Sequence, residues 1–92
     1  MEKKFIVLMI YDIVDNKRRN KMVKCLEAYG VRVQKSAFEA LLTHRQYDKM
    51  LGESSRLIDE AVDSLRVYVL DDIIDVYTWG IGERKETDCV IL

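Results

Sequence analysis

Asp12 ends a nearly continuous apolar run, Lys4-Phe-Ile-Val-Leu-Met-Ile-Tyr11, and the basic cluster Lys17-Arg18-Arg19-Asn20-Lys21 follows it closely. A carboxylate at the carboxyl end of a buried strand sits on a rigid element and faces the crevice where α/β proteins tend to place ligands. Its oxygens suit a hard divalent cation, but such an ion wants about six oxygen ligands, so one acid alone makes a poor magnesium site. A twofold dimer supplies a second copy: two Asp12 carboxylates facing each other would share one Mg2+ or Mn2+, with water completing the shell. An ion so held would generate hydroxide and steady the charge that develops on a phosphodiester. The plain alternative is a turn aspartate, and spacing leaves both open.

The basic cluster has its own pair of readings, a solvated helix face or a phosphate grip. Arginine holds a phosphate with two parallel bonds, and contacts of this kind bind the backbone without reading sequence. Helical spacing turns Lys17, Lys21 and Lys24 outwards and sends Arg18 and Arg19, in the first turn, over the end of the sheet near Asp12. Arg32 and Lys35 add charge nearby. Gln34 and Ser36 can donate to phosphate oxygens, and Tyr11 and Phe38 can stack on a base, brace a dimer or simply fill the core. His44 is the only histidine and has no partner visible in sequence, and Asp71, Asp72 and Asp75 read as a solvated turn. There is no phosphate-binding glycine loop, nucleophile elbow or zinc spacing.

The elements that must carry these residues follow from pattern. Residues 4–11 read as a strand covered on both faces. Asp15 is placed to cap a helix from about Asn16 to Tyr29, its carboxylate accepting first-turn amides, with Gly30 as a left-handed terminator. Residues 31–42 are strand-like, with Val31, Val33 and Ala37 alternating against Arg32, Gln34, Ser36 and Phe38. The stretch is either one long strand or a hairpin bent near Lys35, since no Asn-Gly turn divides it. Thr43-His-Arg-Gln46 is a capping box opening a helix that bears Tyr47, Met50, Leu51, Leu57 and Ile58, with Gly52 arguing against a single straight rod. Residues 64–70 form a strand, Asp71 and Asp72 a turn, and Ile73 to Trp79 another strand. The order fits an α+β, ferredoxin-like βαββαβ sandwich with an additional C-terminal strand.

Ninety-two residues allow a single domain over 1–92, with 81–92 as an apolar-tipped tail suited to a dimer mate or partner protein. The net charge of −1 hides an asymmetry. Residues 1–35 hold nine bases against four acids, whereas residues 48–75 hold three against eight. The first third is therefore the part that can meet phosphate. No apolar run approaches the ~20 residues of a membrane span. The short apolar stretch after the basic start lacks a small-residue cleavage site, and the two cysteines have no metal spacing, so a reduced cytoplasmic protein without membrane contact is expected.

Ile10-Tyr11-Asp12-Ile13, then Arg18-Arg19, then Tyr29-Gly30-Val-Arg32-Val33-Gln34-Lys-Ser36-Ala37-Phe38-Glu39 and Asp63-Ser64-Leu-Arg66-Val-Tyr68 together resemble the CRISPR-associated protein 2 family. The likeness covers nearly the whole chain, and Ala37, where valine is commoner, is a mild departure. It implies a homodimer with 31–42 as two strands, the last strand pairing with the partner subunit, and Asp12 as the catalytic metal ligand shared across the dimer axis. Tyr11, Arg19, Lys21, Arg32 and Phe38 would surround that site, with Lys21 a point charge where arginine is frequent. The implied activity is metal-dependent endonuclease cleavage of single-stranded RNA, double-stranded DNA or both. The implied setting is the spacer-acquisition complex, where the dimer bridges the integrase, CRISPR-associated protein 1, either as a nuclease or as a non-catalytic DNA-bridging scaffold.

Overall fold

The structure, a computed structural model, describes residues 3–70. Their order is β1 (Lys4–Asp12), α1 (Asn16–Glu27), β2 (Gly30–Gln34), β3 (Ala37–Thr43), α2 (His44–Ser55) and β4 (Ser64–Leu70). The sheet runs β2-β3-β1-β4 with every neighbour antiparallel. Each helix thus closes a split βαβ unit, β3 lying between β1 and β2, and β1 between β3 and β4. This is the ferredoxin-like arrangement.

Period-two alternation builds the core. Phe5, Val7, Met9 and Tyr11 of β1 and Phe38, Ala40 and Leu42 of β3 join Met22 and Leu26 of α1 and Met50 of α2 in one buried cluster. The opposite sheet face carries Ile6, Leu8, Ile10 and Asp12 of β1 in register with Leu70, Tyr68, Arg66 and Ser64 of β4. On it Ile10, Leu41 and Tyr68 stay exposed, at 37%, 43% and 43%. Among the described residues neither helix covers that face.

Both expected helix starts are present. Asp15 accepts from the Arg18 amide at 2.9 Å, and Thr43 and Gln46 exchange the two bonds of a capping box, at 2.9 and 3.2 Å. The helix ends differ. α1 stops at Glu27 and is capped at Ala28, and Gly30 opens β2 instead of terminating the helix in a left-handed turn. Its glycine answers a close approach: an added Cβ would lie 2.1 Å from the Glu39 carbonyl oxygen and 2.8 Å from the Ala40 Cβ. α2 runs unbroken through Gly52, where an added Cβ would meet nothing within 4 Å. Leu57 and Ile58 lie beyond its Arg56 cap, yet still pack on the core.

The 31–42 stretch is a hairpin turning at Lys35 and Ser36. A register shift lies between Arg32 and Gln34, and Arg32 stays opposite Phe38. Phe38, grouped by pattern with polar residues, alternates with Ala40 and Leu42 into the core, opposite Met9 and at 0% exposure. The expected turn at Asp71 and Asp72, the strand Ile73 to Trp79 and the tail 81–92 lie outside the described residues. No helix among the described residues is long and apolar enough to cross a membrane.

Candidate nucleic-acid interface

The end of β1, the entry of α1 and the β2–β3 turn enclose an open depression of about 340 Å³ lined by Tyr11, Asp12, Ile13, Arg19, Arg32, Lys35 and Ser36. Three cations there surround one carboxylate. Alternation along β1 puts Asp12 on the helix-free sheet face, one step past Ile10 and opposite Ser64. It is exposed, and among the described residues no hydrogen bond or ion pair engages its carboxylate. A carboxylate that the fold leaves uncommitted on a rigid strand end is available to a ligand.

Tyr11 fastens the turn to the strand. Its amide donates to the Ser36 carbonyl at 3.1 Å and its hydroxyl to the Lys35 carbonyl at 3.2 Å. The same Lys35 carbonyl accepts from Arg32, from Nε at 3.1 Å and Nη2 at 2.6 Å. Arg32 is therefore anchored by one edge of its guanidinium, leaving Nη1 for a ligand. Arg19 is held in the same manner across the depression. Its Nε donates to the Ile13 carbonyl at 3.1 Å and its Nη2 to the Val14 carbonyl at 3.3 Å, while Nη1 bonds Asn16 Oδ1. Backbone carbonyls orient both arginines before any ligand arrives, which lowers the ordering cost of gripping a phosphate.

Of the residues singled out from sequence, Tyr11, Asp12, Arg19, Arg32 and Ser36 meet here. Lys17 and Lys21 are exposed along α1, and Gln34 is exposed at the end of β2, none lining the depression. Phe38 packs beneath it, its ring centroid 6.3 Å from that of Tyr11, and with 0% exposure it offers no face for a base to stack on. Arg18 leaves Arg19's path and forms a two-pronged pair with Asp63, Nε to Oδ2 at 2.8 Å and Nη2 to Oδ1 at 3.2 Å. That hydrogen-bonded pairing holds the Asp63 carboxyl far below the usual carboxylate range, and raises Arg18 in turn. His44 lies away from this end of the sheet, its ring 4.9 Å from that of Phe5. Lys35 lines the depression and supplies its shared carbonyl, a role that charge counting did not reveal. Asp63 emerged only as part of a familiar Asp-Ser-x-Arg string.

Residues 5–74 match the family described as CRISPR associated protein Cas2. A CRISPR-associated endoribonuclease Cas2 of Chloroflexus aurantiacus is 42% identical over 81 residues, covering 86% of this chain and 87% of that protein. A Thermus thermophilus crystal structure, titled hypothetical protein TT1823, superposes with a TM-score of 0.74 at 36% identity, over 85% of this chain and 95% of the other. The crystal structure of Streptococcus pyogenes Cas2 at pH 6.5 does so with a TM-score of 0.66 at 34% identity, over 71% and 84%.

Proposed function

The chain belongs to the CRISPR associated protein Cas2 family, and from that premise we propose that it is a metal-dependent endonuclease acting as a homodimer on single-stranded RNA, double-stranded DNA or both. The observation that carries this reading is the uncommitted Asp12 carboxylate at the rim of a depression lined by Arg19, Arg32 and Lys35. Nuclease chemistry needs a grip on the phosphodiester and a group that directs attack on it. The two pre-oriented arginines answer the first need. Lys35 adds a point charge, and Ser36 can donate to a phosphate oxygen.

One chain's residues do not by themselves fit a magnesium site: among the described residues no three metal-binding side chains cluster, and Asp12 is a single ligand. Two chains do fit. Asp12 shares the helix-free face with Ile10, Leu41 and Tyr68, an apolar surface that a second copy would cover. Face-to-face packing would then bring the two Asp12 carboxylates towards one axis, where they would hold a shared Mg2+ or Mn2+. When bound, the ion supplies positive charge against the phosphodiester and acidifies a coordinated water. Arg19, Arg32 and Lys35, lining the depression with Asp12, would hold the phosphate close to it.

A second reading is favoured by the exposed row Lys17, Lys21 and Lys24, which extends positive charge beyond the depression along α1. In it the dimer is chiefly a scaffold that holds DNA backbone and bridges the integrase, CRISPR-associated protein 1, in spacer acquisition. A cleavage panel over single-stranded RNA and double-stranded DNA, with magnesium, manganese or chelator, tests the first reading. Cleavage in either metal and none in chelator is expected. Cleavage that ignores the chelator contradicts it, and binding without cleavage of either substrate leaves the scaffold.

A further inference from the structure

The Asp63 side chain is fully buried, and its two oxygens accept four hydrogen bonds. Two come from Arg18, one from the Asp59 amide at 2.9 Å and one from the Val14 amide at 3.1 Å. The last bond reaches 49 residues back along the chain, to the connection between β1 and α1. The Val14 amide belongs to the same planar peptide unit as the Ile13 carbonyl, and in a trans peptide the N–H and C=O point in opposite directions. Asp63 grips the N–H side of that plane. Arg19 Nε donates to its C=O side at 3.1 Å. Turning this one peptide would break both bonds at once.

We infer that Asp63 is a positioning residue for the phosphate grip, holding the Ile13–Val14 peptide so that its carbonyl aims the Arg19 guanidinium into the depression. Arg18 and Arg19, adjacent in sequence, thereby divide the work: Arg18 locks the carboxylate that fixes the peptide, and Arg19 is presented to the ligand. A buried carboxylate with four donors has no freedom to follow a moving loop, so the arrangement transmits rigidity from the entry of β4 to the rim of the depression. The inference rests on the reading that Arg19 meets phosphate.

The test is a double-mutant cycle between Asp63→Asn and Arg19→Ala. It reads affinity for a fluorescently labelled homopolymeric single-stranded RNA in chelator, together with the Arg19 Nε–H resonance in 15N spectra. Asparagine keeps the shape but turns an amino group towards donors, so the peptide loses its hold. Asp63→Asn is expected to weaken binding by roughly three- to tenfold in the wild-type background and to change nothing further once Arg19 is alanine. The Arg19 Nε–H signal is expected to shift and to exchange faster with water. Equal losses in both backgrounds, or an unmoved Arg19 signal beside a lowered melting temperature, would overturn the inference and leave Asp63 a purely structural residue. Wild-type affinity in Arg19→Ala alone would overturn the phosphate reading itself, and is told apart because Asp63 is then intact. Should Asp63→Asn fail to fold, Arg18→Gln loosens the same carboxylate from its other side and is read by the same two measurements, with the same outcomes deciding.

Discussion

Phe38→Leu separates the core from the binding surface. Phe38 has 0% exposure, pairs with Met9 on one side and Arg32 on the other, and lies against Tyr11. Leucine keeps the site apolar but leaves part of the ring's volume empty. A partial large-to-small core change of this kind costs about 1–1.5 kcal/mol, below the full truncation to alanine. For a domain of this size that lowers the melting temperature by roughly 4–12 °C at fixed protein concentration. Affinity for single-stranded RNA, read by fluorescence anisotropy in chelator, should stay within about twofold of wild type, since a ring beneath the floor touches no base. A stacking platform would behave in the opposite way. Losing it costs about 1–3 kcal/mol of binding, or roughly 5- to 140-fold. An unchanged melting temperature beside a tenfold loss of affinity would refute the placement of Phe38 in the core.

Three further outcomes follow from the geometry. Gly30→Ala should destabilise by about 1–3 kcal/mol in urea unfolding, because the new methyl meets the Glu39 carbonyl and the β2–β3 ladder must part; wild-type stability would show that β2 does not approach β3 so closely. Ile10→Lys should shift the protein towards monomer in sedimentation equilibrium, by placing charge on the helix-free apolar face, and an unshifted dimer would exclude that face as the interface. The lowered Asp63 pKa means the unfolded chain binds the extra proton. Its contribution is therefore present above the ordinary carboxylate value of 3.8 and is lost as pH falls below it. Asp63→Asn should accordingly flatten the decline in urea midpoint between neutral pH and pH ~3, and parallel declines would count against the pairing with Arg18.

What sequence revealed and what it hid divide along the range of the interactions. The apolar run of β1, the Asp15 cap and the Thr43–Gln46 box are local signals, carried by residues a few positions apart, and each is found in place. Gly30 departs from its local pattern because a glycine after a helix has two physical uses. Local pattern suggests a left-handed cap, while the real constraint, the Glu39 carbonyl, lies across a strand pair. The hairpin at Lys35 was ambiguous because Lys-Ser is not a strong turn pair, and tertiary bonds from Tyr11 and Arg32 to the Lys35 carbonyl hold it instead. Arg18 and Arg19 look alike in sequence, yet one turns to a carboxylate 45 positions away and the other to the carbonyls beside it. No periodicity distinguishes them. Phe38 shares its face with Arg32, as the alternation has it; which of its open roles it plays is decided by β1, whose Met9 stands opposite it.

The proposed role of Asp12 in cleavage is tested most directly by Asp12→Asn, because the substitution keeps shape and hydrogen-bonding size while removing the charge a metal needs. Wild type and variant are compared for cleavage of single-stranded RNA and double-stranded DNA in magnesium, and for binding of the same molecules in chelator. Cleavage is expected to be lost while binding, for which Arg19, Arg32 and Lys35 are proposed, is largely kept. Cleavage by the variant at the wild-type rate would contradict that role.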